Sequence, residues 1–219
     1  MTPSEDELEE RIMRAREEYD SRTFELEDLA PSWHEQFGAW FEEATQAGVH
    51  EPNAMVLATA GIDGAPSARA VLMRGLDERG FTFYTNHLST KGRQLAANPH
   101  AAALFPWFAI HRQVVVSGAV ALLSDAESDE YWASRPLDSR ISAIASPQSE
   151  VVTSREALEQ IREELAGDPH ADVSRPSRWG GYRITPTTVE FWQGRQHRFH
   201  DRLRYRLSGV RWVTERLAP

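Results

Sequence analysis

Between Glu190 and Arg202 the chain reads Glu-Phe-Trp-Gln-Gly-Arg-Gln-His-Arg-Phe-His-Asp-Arg, thirteen residues that hold three arginines, two histidines and an indole. Guanidinium forks bind phosphate and ring oxygens bidentately, and an imidazole exchanges a proton near neutral pH. The segment therefore carries the donors that a flat, anionic ligand needs. In an extended conformation, alternation would place Arg198, His200 and Arg202 on one face. Taken singly, each histidine is as readily a surface or structural residue. A second constellation lies upstream, with Arg-Ala-Val-Leu-Met-Arg at 69–74, Phe-Tyr-Thr-Asn at 83–86 and Ser-Thr-Lys at 89–91. Lys91 is the only lysine among 24 basic residues. It follows a strand-like run and precedes a helical pattern, a place where backbone N–H groups, a helix dipole and an ammonium can face a phosphate. A lone lysine is equally compatible with chance composition.

The elements that must position these groups are legible from caps and periods. Ser4 with Glu7 is a capping-box pattern opening a helix to about Asp20, and Ser32 with Glu35 opens a second that stops at Gly48. Phe37, Trp40, Phe41 and Ala44 share one stripe of that second helix and are expected in the core. From Ala54 the period changes to two. Strands are expected at 55–59, 68–73, 81–85, 101–107 and 113–122, the first two joined by a turn at Asp63-Gly64. A short helix fits 91–98, ending before Pro99. Ser124 with Glu127 and Thr153 with Glu156 open helices on either side of an Arg135-Pro136 break. Strands return at 181–185, 189–193, 203–207 and 210–215, and 167–177 reads as a loop. So many antiparallel strands with inserted helices predict a mainly β, α+β chain built on a barrel rather than a doubly wound sheet.

Composition sets outer bounds. With 219 residues and 41% apolar content the chain can bury a core in a single domain. No cysteine means no disulfide framework, thiol nucleophile or thiolate metal site, in keeping with a cytoplasmic location. The acidic start lacks the features of a signal peptide, and no apolar run approaches a membrane span. A net charge of -9 opposes nucleic acid as a partner. Charge is unevenly spread: residues 1–50 hold 14 acids against 4 arginines, and 178–216 hold 9 arginines against 3 acids. An arginine-rich pocket in an otherwise acidic surface admits a small phosphorylated ligand while repelling polyanions.

Across nearly its whole length the chain resembles the pyridoxine/pyridoxamine 5'-phosphate oxidases. The likeness rests on Arg-x-Val-Leu at Arg69, Phe-Tyr-Thr-Asn at Phe83, Leu-Phe-Pro-Trp at Leu104 and Arg-Gln-Val at Arg112. It continues through Ser-Arg-Pro-x-Asp-Ser at Ser134, Gln-Ser at Gln148, Trp-Gly-Gly-Tyr-Arg at Trp179, Phe-Trp-Gln-Gly at Phe191 and the closing Arg-Leu-Ala-Pro. The resemblance implies an FMN-binding antiparallel split β-barrel of one domain over 1–219, with a helical segment at 1–50 and the barrel with inserted helices at 54–219. It implies a cytoplasmic homodimer with two flavin sites at the subunit interface. The implied reaction oxidises pyridoxamine or pyridoxine 5'-phosphate to pyridoxal 5'-phosphate by hydride transfer to the flavin, with O2 reoxidising the flavin to give H2O2. No metal is implied.

The same resemblance assigns roles. FMN would lie against Arg69, Ala70, Val71, Leu72, Met73 and Arg74, with its phosphate on Arg69, Lys91 and Ser149. Tyr84, Thr85, Gln113, Gln148, Trp192 and Arg202 would surround the rest. The substrate phosphate would take Arg74, Tyr131, Arg135 and Ser139, Arg198 and His200 would stand at the reacting carbon as catalytic residues, and Arg16 and Tyr19 would close over the site. Two positions depart from the pattern. Arg74 stands where relatives usually carry lysine, and Thr90 where they usually carry arginine, so Thr90 can offer FMN at most a hydroxyl and weaker flavin binding is expected. Trp107, Trp179 and Tyr182 are expected to pack rather than bind. Two rival readings are a deazaflavin-dependent reductase on the same barrel, which would not need the Arg198/His200 and Arg135/Ser139 pairs, and a non-catalytic binder of flavin or pyridoxal phosphate.

Overall fold

The strictest alternation in the chain, His100–Trp107, folds as a strand whose odd-numbered residues from Ala101 onward are buried. Around it the computed structural model describes residues 5–14, 19, 23–168 and 170–219. In chain order the elements are α1 (Glu5–Arg14), α2 (Trp33–Gln46), β1 (Ala54–Ala60), β2 (Pro66–Leu72), β3 (Gly75–Asp77), β4 (Gly80–Asn86), α3 (Thr90–Ala97), β5 (His100–Trp107), β6 (Arg112–Leu122), α4 (Asp125–Ser134), α5 (Leu137–Ala145), α6 (Arg155–Gly167), β7 (Trp179–Gln193), β8 (Asp201–Ser208) and β9 (Arg211–Arg216). Every strand pairing is antiparallel. The order is β2-β1-β5-β6-β7-β4-β3, and β8 and β9 continue from β7.

β7 organises the sheet. One edge pairs with β6 from Tyr182 to Gln193, and the other pairs first with β4 and then, from Thr188, with β8. Among the described residues no pairing joins β2 to β3, so the sheet stays open. With six α-helices among the described residues and an antiparallel sheet, the chain is α+β as expected.

The Ser32 hydroxyl accepts the Glu35 N–H and opens α2. This helix lays Phe37, fully buried, against Phe81, Phe105 and Trp107 at ring-centroid distances of 4.9, 4.8 and 5.6 Å. Phe37, Trp40 and Ala44 are core as the stripe predicts, while Phe41 is half-buried beside them. Trp107 packs in the core and donates its indole N–H to the Pro52 carbonyl, and Trp179 and Tyr182 are also buried.

Several expectations need correction. The strands expected at 181–185 and 189–193 are one strand, because Pro186 sits where the β6 register shifts and its missing N–H costs no ladder bond. Pro136 does not merely break a helix: it is the N-cap of α5, and its carbonyl accepts the Ser139 and Arg140 N–H groups at 3.0 and 3.1 Å. The helix expected from Thr153 is capped by Ser154, which accepts the Ala157 N–H. Gln196–Arg198 forms a 3₁₀ turn, with His197 and Arg198 in the left-handed region at φ 55° and 62°, so Arg198 does not share an extended face with His200 and Arg202. The first helix is described to Arg14, and its expected cap Ser4 and its expected continuation to Asp20 lie outside the described residues, as does Arg16.

Candidate active site

The lysine corner forms where β4 runs into α3. Ser89 caps α3 by accepting the Gly92 N–H, and Gly92 lets the helix press against the preceding turn: a Cβ there would lie 2.1 Å from the His87 carbonyl oxygen. Lys91 is thereby folded inward to 7% exposure. Its ammonium donates to Thr85 Oγ1 at 3.1 Å, Gln148 Oε1 at 3.1 Å and Ser89 Oγ at 3.3 Å. From β2, Arg69 donates to the Leu57 carbonyl at 3.2 Å and to the hydroxyls of Thr59 and Ser67, each at 2.5 Å. Every one of these acceptors is neutral. Burial, and then the charge of Arg69, pushes the Lys91 ammonium down to about 8, and burial also lowers Arg69. One buried and one half-buried cation, with no carboxylate partner among the described residues, leave an electrostatic gap that an anion can fill. Ser149, exposed and at φ 74°, follows Gln148 on the rim, and Thr90 is exposed at the first turn of α3. Along β2, Ala70 is exposed, Val71 and Leu72 are half-buried, and Met73 joins the core.

Next to this corner stands an aromatic wall. Tyr84 stacks on Tyr131 with centroids 3.8 Å apart, and Trp179 lies nearly parallel to both. Arg74, Tyr84 and Tyr131 line a cleft of about 360 Å³ whose rim includes Glu127 and Arg183. Arg135 follows α4 directly and donates to the Ser139 carbonyl at 2.9 Å. Burial raises the Tyr84 hydroxyl above its usual value, so Tyr84 stays protonated and can donate at neutral pH.

A third group occupies the far end of β7. His200 lies 4.7 Å from Trp192, ring to ring, and Tyr19 packs against both and against His111. Gly194 makes this approach possible, because a Cβ there would come within 2.9 Å of the Tyr19 ring. His200 Nδ1 accepts the Arg195 N–H, which places the proton of the neutral ring on Nε2. Burial, and then Arg198, lowers the imidazole, so the neutral form prevails at pH 7. Gln113 and Arg202 are the ladder neighbours of Trp192 on either side. Arg202 is bidentate to Glu190, at 2.7 and 3.1 Å, and donates to Ala218 O. Arg198 is exposed on its turn.

The lysine corner and the Trp192 group are held apart by the strand they share. Thr85 pairs with Gly180 at the start of β7, whereas Trp192 stands twelve residues further along, up to about 40 Å at strand rise. One copy of the chain therefore brings the expected site residues together as two half-sites.

Residues 41–193 match the family model described as pyridoxamine 5'-phosphate oxidase, and residues 179–219 match that of the pyridoxine 5'-phosphate oxidase C-terminal dimerisation region. The chain belongs to the pyridoxamine 5'-phosphate oxidase family. A pyridoxine/pyridoxamine 5'-phosphate oxidase of Cupriavidus taiwanensis is 54% identical over 193 residues, covering 88% of this chain and 91% of that protein. One from a Cyanothece species is 48% identical over 209 residues, covering 95% and 98%. Among solved structures, PhzG from Burkholderia lata in complex with tetrahydrophenazine-1-carboxylic acid superposes with a TM-score of 0.85 at 35% identity, covering 91% of this chain and 98% of its own. A pyridoxamine 5'-phosphate oxidase-related, FMN-binding protein from Nostoc punctiforme shares the fold, with a TM-score of 0.69 at 20% identity, covering 87% and 98%. The open antiparallel sheet of this family member is thus a split barrel.

Some residues around these groups escape the sequence reading. Thr59, Ser67 and Gln94 orient Arg69, and Ser89 shares Lys91. Ser89 was recoverable as the residue before a short helix, whereas the Arg69 partners come from β1, β2 and α3 and carry no local signal. His111, packed on Tyr19, is equally silent because its partner is distant in the chain.

Proposed function

We propose that the chain is an FMN-dependent oxidase that converts pyridoxamine or pyridoxine 5'-phosphate to pyridoxal 5'-phosphate in a homodimer. The observation that carries the reading is the pairing of buried Lys91 with half-buried Arg69, bonded among the described residues only to neutral oxygens. A phosphate monoester matches them in charge and in acceptor count. The donors around it suit the ribityl and pyrimidine oxygens of FMN: Thr85, Gln148 and Ser149 in one copy, and Gln113, Trp192 and Arg202 in the second. The match of 179–219 to a dimerisation region supports this division of labour.

When bound, FMN supplies the hydride acceptor and passes the electrons to O2, releasing H2O2. The chain supplies binding, orientation and a proton inventory. Arg74, Tyr131, Arg135 and Ser139 hold the substrate phosphate at the aromatic wall. The second copy contributes Arg198, whose charge orients the pyridine ring, and His200, whose Nε2–H donates to a substrate oxygen or nitrogen. Tyr19 covers the ring and excludes water. Loss of hydride from the aminomethyl carbon leaves an imine, which water hydrolyses to the aldehyde and ammonia.

The test is a visible spectrum of the purified protein before and after anaerobic addition of pyridoxamine 5'-phosphate. Flavin bands that bleach and return with air, with peroxide formed, are the expected result. A flavin spectrum that does not change overturns the reading. Turnover of a reduced phenazine carboxylate in its place would assign instead a substrate like the ligand of the Burkholderia lata structure.

A further inference from the structure

Arg135 is held in an unusual way. Its Nη2 donates to the Ser139 carbonyl at 2.9 Å, and its Nε is buried without a hydrogen-bond partner. No carboxylate pairs with it among the described residues. Instead its guanidinium carbon lies 4.9 Å from the ring centroid of Trp179 and 5.8 Å from that of Trp132. The two indoles meet edge to face at 4.7 Å and 65°, so the cation faces two electron-rich surfaces. Both rings are fixed from outside the cleft. Trp132 donates its indole N–H to the Val173 carbonyl at 3.0 Å. Trp179 is anchored through its backbone, opposite Asn86 in the ladder and with its carbonyl accepting from Arg175 at 2.7 Å. Arg135 itself is extended and precedes Pro136, which restricts its backbone.

We propose that Trp179 and Trp132 form an aromatic clamp that sets the Arg135 guanidinium for the substrate's phosphate, making both indoles positioning residues. The proposal rests on the oxidase reading for the identity of the ligand. A carboxylate could have oriented Arg135, but it would have consumed the N–H donors and neutralised the charge that the phosphate requires. An aromatic face holds the cation without competing for either. The near-parallel Tyr84, Tyr131 and Trp179 rings make the clamp continuous with the wall of the cleft, so the arginine and the substrate are located by one surface.

The experiment is a double-mutant cycle on the flavin-loaded protein, read as the dissociation constant of 4-deoxypyridoxine 5'-phosphate, whose methyl group in place of the reacting arm prevents oxidation. Trp179→Leu is expected to weaken binding about tenfold, as for a partly desolvated cation–π contact. Trp179→Phe, which keeps a ring, is expected to restore binding to within about threefold of wild type. In an Arg135→Ala background Trp179→Leu should add less than about twofold, because the clamp then has nothing to hold. Trp132→Leu repeats the cycle should Trp179→Leu fail to fold. Equal weakening in both backgrounds, wild-type affinity in Trp179→Leu, or no binding by the wild type each overturns the clamp. Peroxide release with pyridoxamine 5'-phosphate is measured in parallel. A coupled cycle without turnover would sink the oxidase reading and leave the clamp standing, whereas turnover with an additive cycle would do the reverse.

Discussion

Lys91 carries a charge that burial has made expendable. In the free protein its ammonium titrates near 8, well below the usual value for lysine, and a phosphate beside it would favour the charged form and raise that value. The sign follows: below pH 8 the ammonium is already present and phosphate affinity is full, and above pH 8 binding must first recover a proton. FMN affinity of the flavin-free protein is expected to fall by up to about tenfold per pH unit above 8, until the bound-state value is reached. Lys91→Arg should flatten that dependence, since guanidinium stays charged. Flavin fluorescence titrations between pH 7 and 9.5 measure it, and constant wild-type affinity would remove Lys91 from phosphate binding. At the other half-site, Arg198→Ala is expected to lower kcat about 100-fold while leaving flavin content near wild type. Parallel loss of both would end its catalytic assignment. The left-handed backbone of His197 and Arg198 is consistent with a turn held in a sparsely populated conformation for a purpose.

The secondary elements divide by how local their causes are. The α2 stripe, the Ser124 cap and the alternation of β5 and β6 depend on residues close in the chain, and they were readable. The length of β7 was not, because Thr-Pro-Thr-Thr looks like a break until Gly118 and the β6 register shift are placed opposite it. β3 has three residues and no period to detect. For the site, Lys91 stands out in the chain as a lone lysine between a strand and a helix, whereas Gln148 reaches it from the segment after α5, 57 residues on. The Arg69 hydroxyl partners, His111 and the Trp132 face of Arg135 arise only when distant elements meet. Phe37 shows how much rests on one element's docking. Phe37→Ala is expected to cost about 3 to 5 kcal/mol in urea unfolding, the range for deleting a buried ring against four aromatic neighbours. A loss under about 1 kcal/mol would mean that α2 is loosely held.

At the scale of the whole molecule, β7 holds the lysine corner and the Trp192 group apart, and the proposed oxidase activity requires a second copy, related by a twofold axis, to join them. Mixing subunits that carry Lys91→Met with subunits that carry His200→Ala tests this directly. Each homodimer should be nearly inactive, while a statistical mixture should recover about a quarter of wild-type turnover, since half the dimers then hold one intact site of two. No recovery after verified exchange would place the complete site within one chain. The continuity of β7 has a further consequence for how the protein keeps its cofactor. If each flavin bridges two copies, dissociation of the pair and release of FMN are one linked equilibrium. Dilution should then bleed colour from the protein, added FMN should hold the pair together, and the flavin content of a preparation becomes a reading of its concentration history.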